Sequence, residues 1–439
     1  MLPKNNILSL KEALVQMGVF VNSYKPSISI QRLEIKIQPV DMLAWLSLQT
    51  DDVKIYGSNQ SDTISIAGIG QAACLTDIRI GNIKKIFKQL RHLLTPKFPY
   101  LQWYGGFCFD EKNLSDDWEA FGAYRFVIPR FELAAQDGKM IFCCNLVGRE
   151  NIKGILRQLK QIIIPTEFHS KVKASAFAGV RRTDQPNQEQ WKNSVDQILT
   201  DTTVKKVVLA RKTSLHFSQA ADPWSMLRQL KSVTANSYHF AFQFKKSVFL
   251  GASPERLYRR YQRAIESEAI AGTVPQSTDP KILQQSVKNN HEHALVVDAI
   301  KDSFKELCIS FKHDKEPGIL TLPNGHHLIS KFQGQLKDGV NDEYILQFLH
   351  PTPALGGTPR AEAMRLIRKL EGFSRGWYGA PIGYVGLDWA EFVVGIRSGL
   401  VRGKNLYVFA GAGIVQGSES QSEWDEVENK ISNFIKIIR

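Results

Sequence analysis

Tyr238-His239-Phe240-Ala241-Phe242-Gln243-Phe244 alternates large aromatic residues with other types. On an extended chain, successive side chains point to opposite faces, so Tyr238, Phe240, Phe242 and Phe244 share one face. The segment therefore predicts a strand with a thick apolar side. Val248 to Ala252 predicts a second strand, which ends where Ser253-Pro254 makes the chain turn. Upstream, Lys206 to Thr213 opens with a near-continuous apolar run and predicts another. Downstream, Glu391 to Val401 and Leu406 to Ala410 do the same.

Helices are interleaved with these strands. Leu283 to Leu307 has helical periodicity through Val287, Ala294, Val297, Ile300 and Phe304. Pro359 to Leu370 begins on proline and is followed by Gly372, the expected punctuation of a helix. Ser422 to Ile438 predicts a closing helix buried through Trp424, Val427, Ile431, Phe434 and Ile438. Nearer the start, Ile30 to Ile37, Thr63 to Ile69, Trp103 to Phe107 and Arg125 to Leu133 predict strands, and Asn82 to Leu94 an amphipathic helix. The polar stretch Ala174 to Asn187 is the best linker candidate. The rhythm is not strictly βαβ, so the expected fold is α/β or α+β, with large, partly antiparallel sheets flanked by helices.

Composition narrows the class. The 439 residues exceed what one ordinary core needs, which leaves one large unit or two domains. The net charge of +13 comes from scattered Lys and Arg, with no zinc-finger or RNA-recognition spacing, so no nucleic-acid partner is expected. A basic surface would also steer a dianionic metabolite. The five cysteines are odd in number and contain no Cys-x-x-Cys, which fits a reducing cytoplasm. No run reaches the ~18 apolar residues of a membrane span, and no signal peptide or membrane partner is expected.

The closing helix carries the most informative polar pattern. Glu423, Glu426 and Lys430 fall at i, i+3 and i+7, on one face beside the apolar stripe. Alone, that is a solvated face with a Glu426–Lys430 pair. Glu292, on the long helix, supplies a carboxylate from a second element. Two acidic helices meeting at a cleft are what Mg2+, a hard ion, requires. His291 and His293 lie two apart and point nearly opposite ways on a helix, which excludes a helical zinc pair. Gly411-Ala412-Gly413 and Ala271-Gly272-Thr273 follow strands and let backbone N–H groups approach an anion. Neither continues into a dinucleotide fingerprint. Arg397 is read on a strand, with its guanidinium facing a cleft or the interior, where a carboxylate could take it bidentately.

Six stretches resemble the chorismate-utilising enzymes, a family of isochorismate, anthranilate, aminodeoxychorismate and salicylate synthases. They are Lys206-Val207-Val208-Leu209-Ala210-Arg211, Ser253-Pro254-Glu255-Arg256-Leu257, Ala271-Gly272-Thr273, His350-Pro351-Thr352-Pro353-Ala354, Gly395-Ile396-Arg397-Ser398 and Gly411-Ala412-Gly413-Ile414. The match is dense from about residue 185 to 439 and looser before, where Trp103 to Asp110 still looks alike. The resemblance implies one large fold, with two mainly antiparallel sheets around a buried cleft. Residues 1–170 would be its structural N-terminal part and 185–439 the chorismate-binding catalytic region.

It also implies roles. Lys206 matches the general base and Glu255 the general acid, with Arg211 or the metal helping Lys206 to act as a base. Glu292 and Glu426 match the Mg2+ ligands, with Glu423 nearby. Asn289 stands where several relatives carry another glutamate. Tyr378, Arg397, the Gly413 amide and Lys430 match positions holding substrate carboxylates. Gly272 and Thr273 lie in the loop that closes over them, and His350 belongs to the substrate-binding set.

Among the relatives, Ala271 stands where aminodeoxychorismate synthases carry a nucleophilic lysine, which removes that covalent route. Leu349 to Gly357 and Ala269-Ile270 look like the isochorismate group, most like its menaquinone-type members. No glutaminase elbow is present, and no glutaminase subunit is expected. Salicylate synthase, the anthranilate synthase large subunit and a non-catalytic binding protein are the alternatives. Chorismate is the expected small-molecule partner, Mg2+ the cofactor, and the assembly a monomer or homodimer.

Overall fold

The computed structural model describes residues 7–166, 180–323 and 325–438. Among them the strands form two sheets, one of 12 strands and one of 10, in which every ladder is antiparallel. The larger sheet runs from Ser27–Ile37 through Lys139–Gly148, Phe131–Gln136, Ile64–Ile69 and Val53–Ser58 to Tyr238–Phe244. It continues through Ser247–Ser253, Ser398–Arg402, Asn405–Val415 and Lys206–His216. The smaller sheet is centred on Ala264–Val274, Arg256–Tyr261, Trp389–Val394 and Pro381–Val385.

The alternation in Tyr238–Phe244 is realised. Its aromatic face packs on Phe121, Phe249 and Trp377, with ring centroids 5.2–5.5 Å apart in the Phe121–Phe244, Phe240–Phe249 and Phe242–Trp377 pairs. Both sheets draw strands from both halves of the chain. Val53–Ser58 pairs with Tyr238–Phe244, and Trp103–Phe107 with Pro381–Val385. No helix among the described residues is long and apolar enough to cross a membrane.

Several sequence expectations need correction. Arg125 to Leu133 is two strands in different sheets, Tyr124–Ile128 and Phe131–Gln136, because Pro129 interrupts the ladder. Glu391 to Val401 also divides, into Trp389–Val394 and Ser398–Arg402, and Arg397 lies in the connection with φ +50°. Leu283 to Leu307 is two helices, Pro280–Gln285 and Val287–Leu307, the second capped by Ser286. Its buried stripe runs through His293, Val296, Ile300 and Phe304, while Val287 and Ala294 are exposed. Gly411-Ala412-Gly413 lies inside the strand Asn405–Val415 rather than after it. Ala271-Gly272-Thr273 is likewise within Ala264–Val274, at a bulge. Of the linker candidate, residues 174–179 lie outside the described residues. Arg181–Gln185 is a strand paired with Lys212–His216, and a helix starts at Gln188.

Candidate active site

The chain passes between the sheets at points that carry polar residues. Ser247–Ser253 in the larger sheet leads through Pro254 and Glu255 into Arg256–Tyr261 in the smaller. Trp389–Val394 leads through Gly395, Ile396 and Arg397 into Ser398–Arg402 in the larger. These crossings lie side by side. The Val394 N–H donates to Glu255 O at 3.1 Å, and the Ala252 N–H donates to Arg397 O at 3.0 Å. Glu255 and Arg397 thus emerge where the two sheets separate.

Lys206 begins the strand Lys206–His216 and is 1% exposed. Its Nζ donates to Glu292 Oε1 at 2.8 Å, from the helix Val287–Leu307. Gly413, opposite Val208 in the next strand, makes this approach possible. A Cβ there would stand 2.5 Å from Glu292 Oε1 and 2.9 Å from Lys206 Cε. The Val208 N–H donates to Gly356 O, and its carbonyl accepts from Arg375. Val208 and Gly413 therefore form a non-hydrogen-bonded pair, and the Gly413 N–H turns to the strand's other edge. On that edge Gly411 O accepts from Lys430 Nζ at 2.8 Å. Lys430 O in turn accepts from Arg397 Nη1 at 3.4 Å.

Three carboxylates from two helices share this region, each engaged by an ammonium group. Glu292 takes Lys206, Glu423 takes Lys288 at 2.5 Å, and Glu426 takes Lys430 at 2.5 Å. Glu426 and burial both raise the Glu423 carboxyl above its usual range, burial being the larger cause. Burial is the largest single influence on Glu292 and raises its carboxyl, but Lys206, by charge and hydrogen bond, together with Lys430 and Lys288 outweighs it and brings the carboxyl below its usual range. Among the described residues no three His, Cys, Asp or Glu side chains close on one point. The donors here are nonetheless all carboxylate oxygens, which fit Mg2+ in chemistry, whereas His293 is committed to Ser330 at 2.9 Å.

Glu255 is 4% exposed. Burial first, then the neighbouring Glu268 charge, pushes its carboxyl up to about 8, with Lys206 and Lys430 pulling the other way. Glu268 is held at 3.4 Å by Arg256, which also bonds Glu391 and the Tyr238 hydroxyl at 3.0 Å each. Tyr378 stacks on Phe409 near Arg397, and burial raises its hydroxyl above the ordinary tyrosine value. Burial brings Arg397 down to about 10. Gly272 has φ +77° and lies against Asn289, so a side chain there would be both strained and crowded.

The structure thus gathers Lys206, Glu255, Glu292, Glu423, Glu426, Arg397, Tyr378, Gly413, Lys430 and the Gly272–Thr273 bulge. Two expectations fail. Arg211 faces away from Lys206: its guanidinium lies over Trp424 and bonds Glu428 at 2.6 Å. An odd offset along a strand puts the two residues on opposite faces, and the cations near Lys206 are Lys430 and Lys288. His350 also stands apart. Its ring packs edge-on against Phe109 at 5.8 Å, and it lines a separate cavity.

Sequence reasoning missed His327. Its Nδ1 pairs with Thr273 Oγ1 at 2.9 Å, and its buried Nε2 has no partner. Burial, then Arg397 and Lys430, hold the ring neutral. The signal available was a histidine pair, His326-His327, running directly into the apolar Leu328-Ile329 of the strand Gly325–Leu336. Lys288 was also missed.

The comparisons agree on one family. A family model described as chorismate binding enzyme matches residues 19–439. Isochorismate synthase 2, chloroplastic, of Arabidopsis thaliana is 32% identical over 403 residues, covering 87% of this chain and 71% of that protein. Isochorismate synthase MenF of Haemophilus influenzae is 28% identical over 449 residues, covering 99% and 98%. The structure of MenF, the menaquinone-specific isochorismate synthase from Escherichia coli, superposes with a TM-score of 0.85 at 27% identity, over 98% of this chain and all of that one.

Proposed function

The chain belongs to the chorismate-binding enzyme family, and on that footing we propose that it is an isochorismate synthase, interconverting chorismate and isochorismate. The observation that carries the reading is a buried Lys206, ion-paired with Glu292, near enough to a buried Glu255 for its charge to act on that carboxyl, which burial pushes up to about 8. One group is placed to take a proton and the other to give one, which is the demand of this isomerisation.

In the forward direction Lys206, an ammonium while it bonds Glu292, must first release its proton, and the neutral amine then takes a proton from water as the water oxygen bonds to C2 of the ring. The double bonds shift, and the C4–O bond breaks as Glu255 protonates the departing hydroxyl. Water enters and water leaves, so the reaction is an isomerisation and runs both ways. Arg397, Tyr378, Lys430 and the Gly413 N–H hold the substrate carboxylates, and His327 offers a neutral imidazole beside them. Mg2+, held by Glu292 and Glu426 with Glu423 adjacent, would neutralise carboxylate charge on the ring. Ala271 leaves room for water and supplies no nucleophile. The five unpaired cysteines support a reducing, cytoplasmic setting.

Product analysis tests the reading. Purified protein with chorismate and Mg2+ is expected to form isochorismate, without pyruvate. Lys206→Ala should abolish turnover while chorismate and Mg2+ still bind. Salicylate accumulating with pyruvate would establish the salicylate synthase alternative. Equal loss of binding and turnover in the variant would remove Lys206 as the base.

A further inference from the structure

A cavity of about 590 Å³ opens away from the cleft, between the helices Ile83–Leu93, Asp342–Leu349 and Arg360–Leu370 and the end of the strand Trp103–Phe107. None of its lining residues belongs to the group gathered around Lys206 and Glu292. Its volume lies within the range of small-molecule sites. Ile83, Phe107, Phe109 and Met364 give it apolar walls.

The polar part of the lining is unbalanced. Asp110 is taken by Arg368 at 2.5 Å, and Glu111 accepts the Ile80 N–H at 2.6 Å. Arg360 donates only to the carbonyls of Gln347 and His350 and has no carboxylate partner among the described residues. Lys112 has none either. His350 adds an unmet demand, for both ring nitrogens are buried without a hydrogen-bond partner. The Phe109 backbone approaches the ring without completing a bond, and burial holds the imidazole neutral.

Three cations (Lys112, Arg360 and Arg368) against two carboxylates (Asp110 and Glu111), a neutral imidazole lacking partners and aromatic walls describe a complement with one negative charge. The ligand needs one carboxylate for the guanidinium, a flat apolar body, and a hydroxyl able to donate to or accept from a neutral histidine. We propose that this cavity binds a small hydroxy-substituted aromatic carboxylate, held at Arg360 and His350. The site has a route to the cleft. The segment from His350 to Arg360 includes Gly357 and Thr358, which pair with Val207 and Lys206. An occupant would therefore bear on the strand that carries Lys206. The binding itself rests on this cavity's geometry and is independent of the reaction assigned to the cleft.

Calorimetric titration with 4-hydroxybenzoate tests the assignment, with benzoate and phenol as probes lacking one group each. Saturable 1:1 binding of 4-hydroxybenzoate is expected, at least fivefold tighter than either probe. Arg360→Gln should weaken it tenfold or more. Because Arg360 also ties down two carbonyls, Ala361→Phe serves as a second variant. Ala361 is exposed and lines the cavity, so the added ring fills the space without disturbing the core, and binding should be lost with the melting temperature unchanged. Arg397→Gln, in the cleft, should leave binding intact. No saturation, retention of binding in Ala361→Phe, or its loss in Arg397→Gln would each overturn the proposal.

Discussion

Glu255 owes its raised carboxyl first to burial and second to the Glu268 charge. An acid works only while protonated, so kcat/KM in the forward direction should fall as pH rises through about 8. Glu268→Gln removes the repelling charge and leaves the burial, so this limb should move to lower pH. An unmoved limb in a pH–rate profile would mean that burial alone sets the proton's hold. Gly413 makes a separate prediction. An alanine Cβ would meet Glu292 Oε1 at 2.5 Å and Lys206 Cε at 2.9 Å. The strand's backbone is ordinary there, so Gly413→Ala should keep its fold and lose activity on the order of a hundredfold, the usual cost of misplacing reacting groups by about 1 Å. Steady-state kinetics beside a melting curve separates the two effects. At this scale the sequence was informative where candidate site residues shared one helix: Glu423, Glu426 and Lys430 lie on one face by spacing alone. It was silent on His327, Lys288 and Glu268, whose relation to the site depends on strands and helices packed together from distant segments.

The elements that build the cleft are two acidic helices and two sheet-to-sheet crossings. Alternation identifies a strand but says nothing about which sheet it joins, and so Trp389–Val394 and Ser398–Arg402 read as one element. The connection between them puts Arg397 at φ +50° and frees the edge of Asn405–Val415 that Lys430 and the Gly413 N–H share. Arg397 was legible as a candidate anion holder, but its position at a crossing was not. Between the helices, three carboxylates face three lysines, and Lys288 is the most exposed of these, at 36% of its side chain against 1% for Lys206 and 20% for Lys430. A divalent cation entering this region competes with that ammonium. Lys288→Met should therefore tighten Mg2+ binding roughly tenfold, since unit charges about 4 Å apart near a protein surface interact by ~1–4 kcal/mol. Calorimetric Mg2+ titration measures this directly, and unchanged affinity would show that Lys288 does not oppose the metal.

At the scale of the whole molecule, the chain looks divisible in sequence, with the family resemblance dense only from about residue 185. The sheets argue against division. Tyr238–Phe244 is hydrogen-bonded on one side by Val53–Ser58, and Pro381–Val385 by Trp103–Phe107. Without the first part, two strands now in mid-sheet would become open edges, which invite pairing with other chains. The aromatic cluster would open as well, because Trp118 and Phe121 are fully buried against Phe249, Phe244 and Trp377. Gly376 records how close this contact is: a Cβ there would fall 1.9 Å from the Trp118 ring. Removing even one such ring costs about 3–5 kcal/mol, a large share of the 5–15 kcal/mol typical of a domain. A fragment of residues 185–439 should therefore aggregate when produced alone, although it holds every residue assigned to the chemistry. Co-production with residues 1–170 should restore a soluble, active complex, because antiparallel ladders require no covalent link between their strands. Size-exclusion chromatography and chorismate turnover decide the matter. A fragment that is monomeric alone, and melts cooperatively, would show that the first part is an addition to the catalytic unit and not a component of its core.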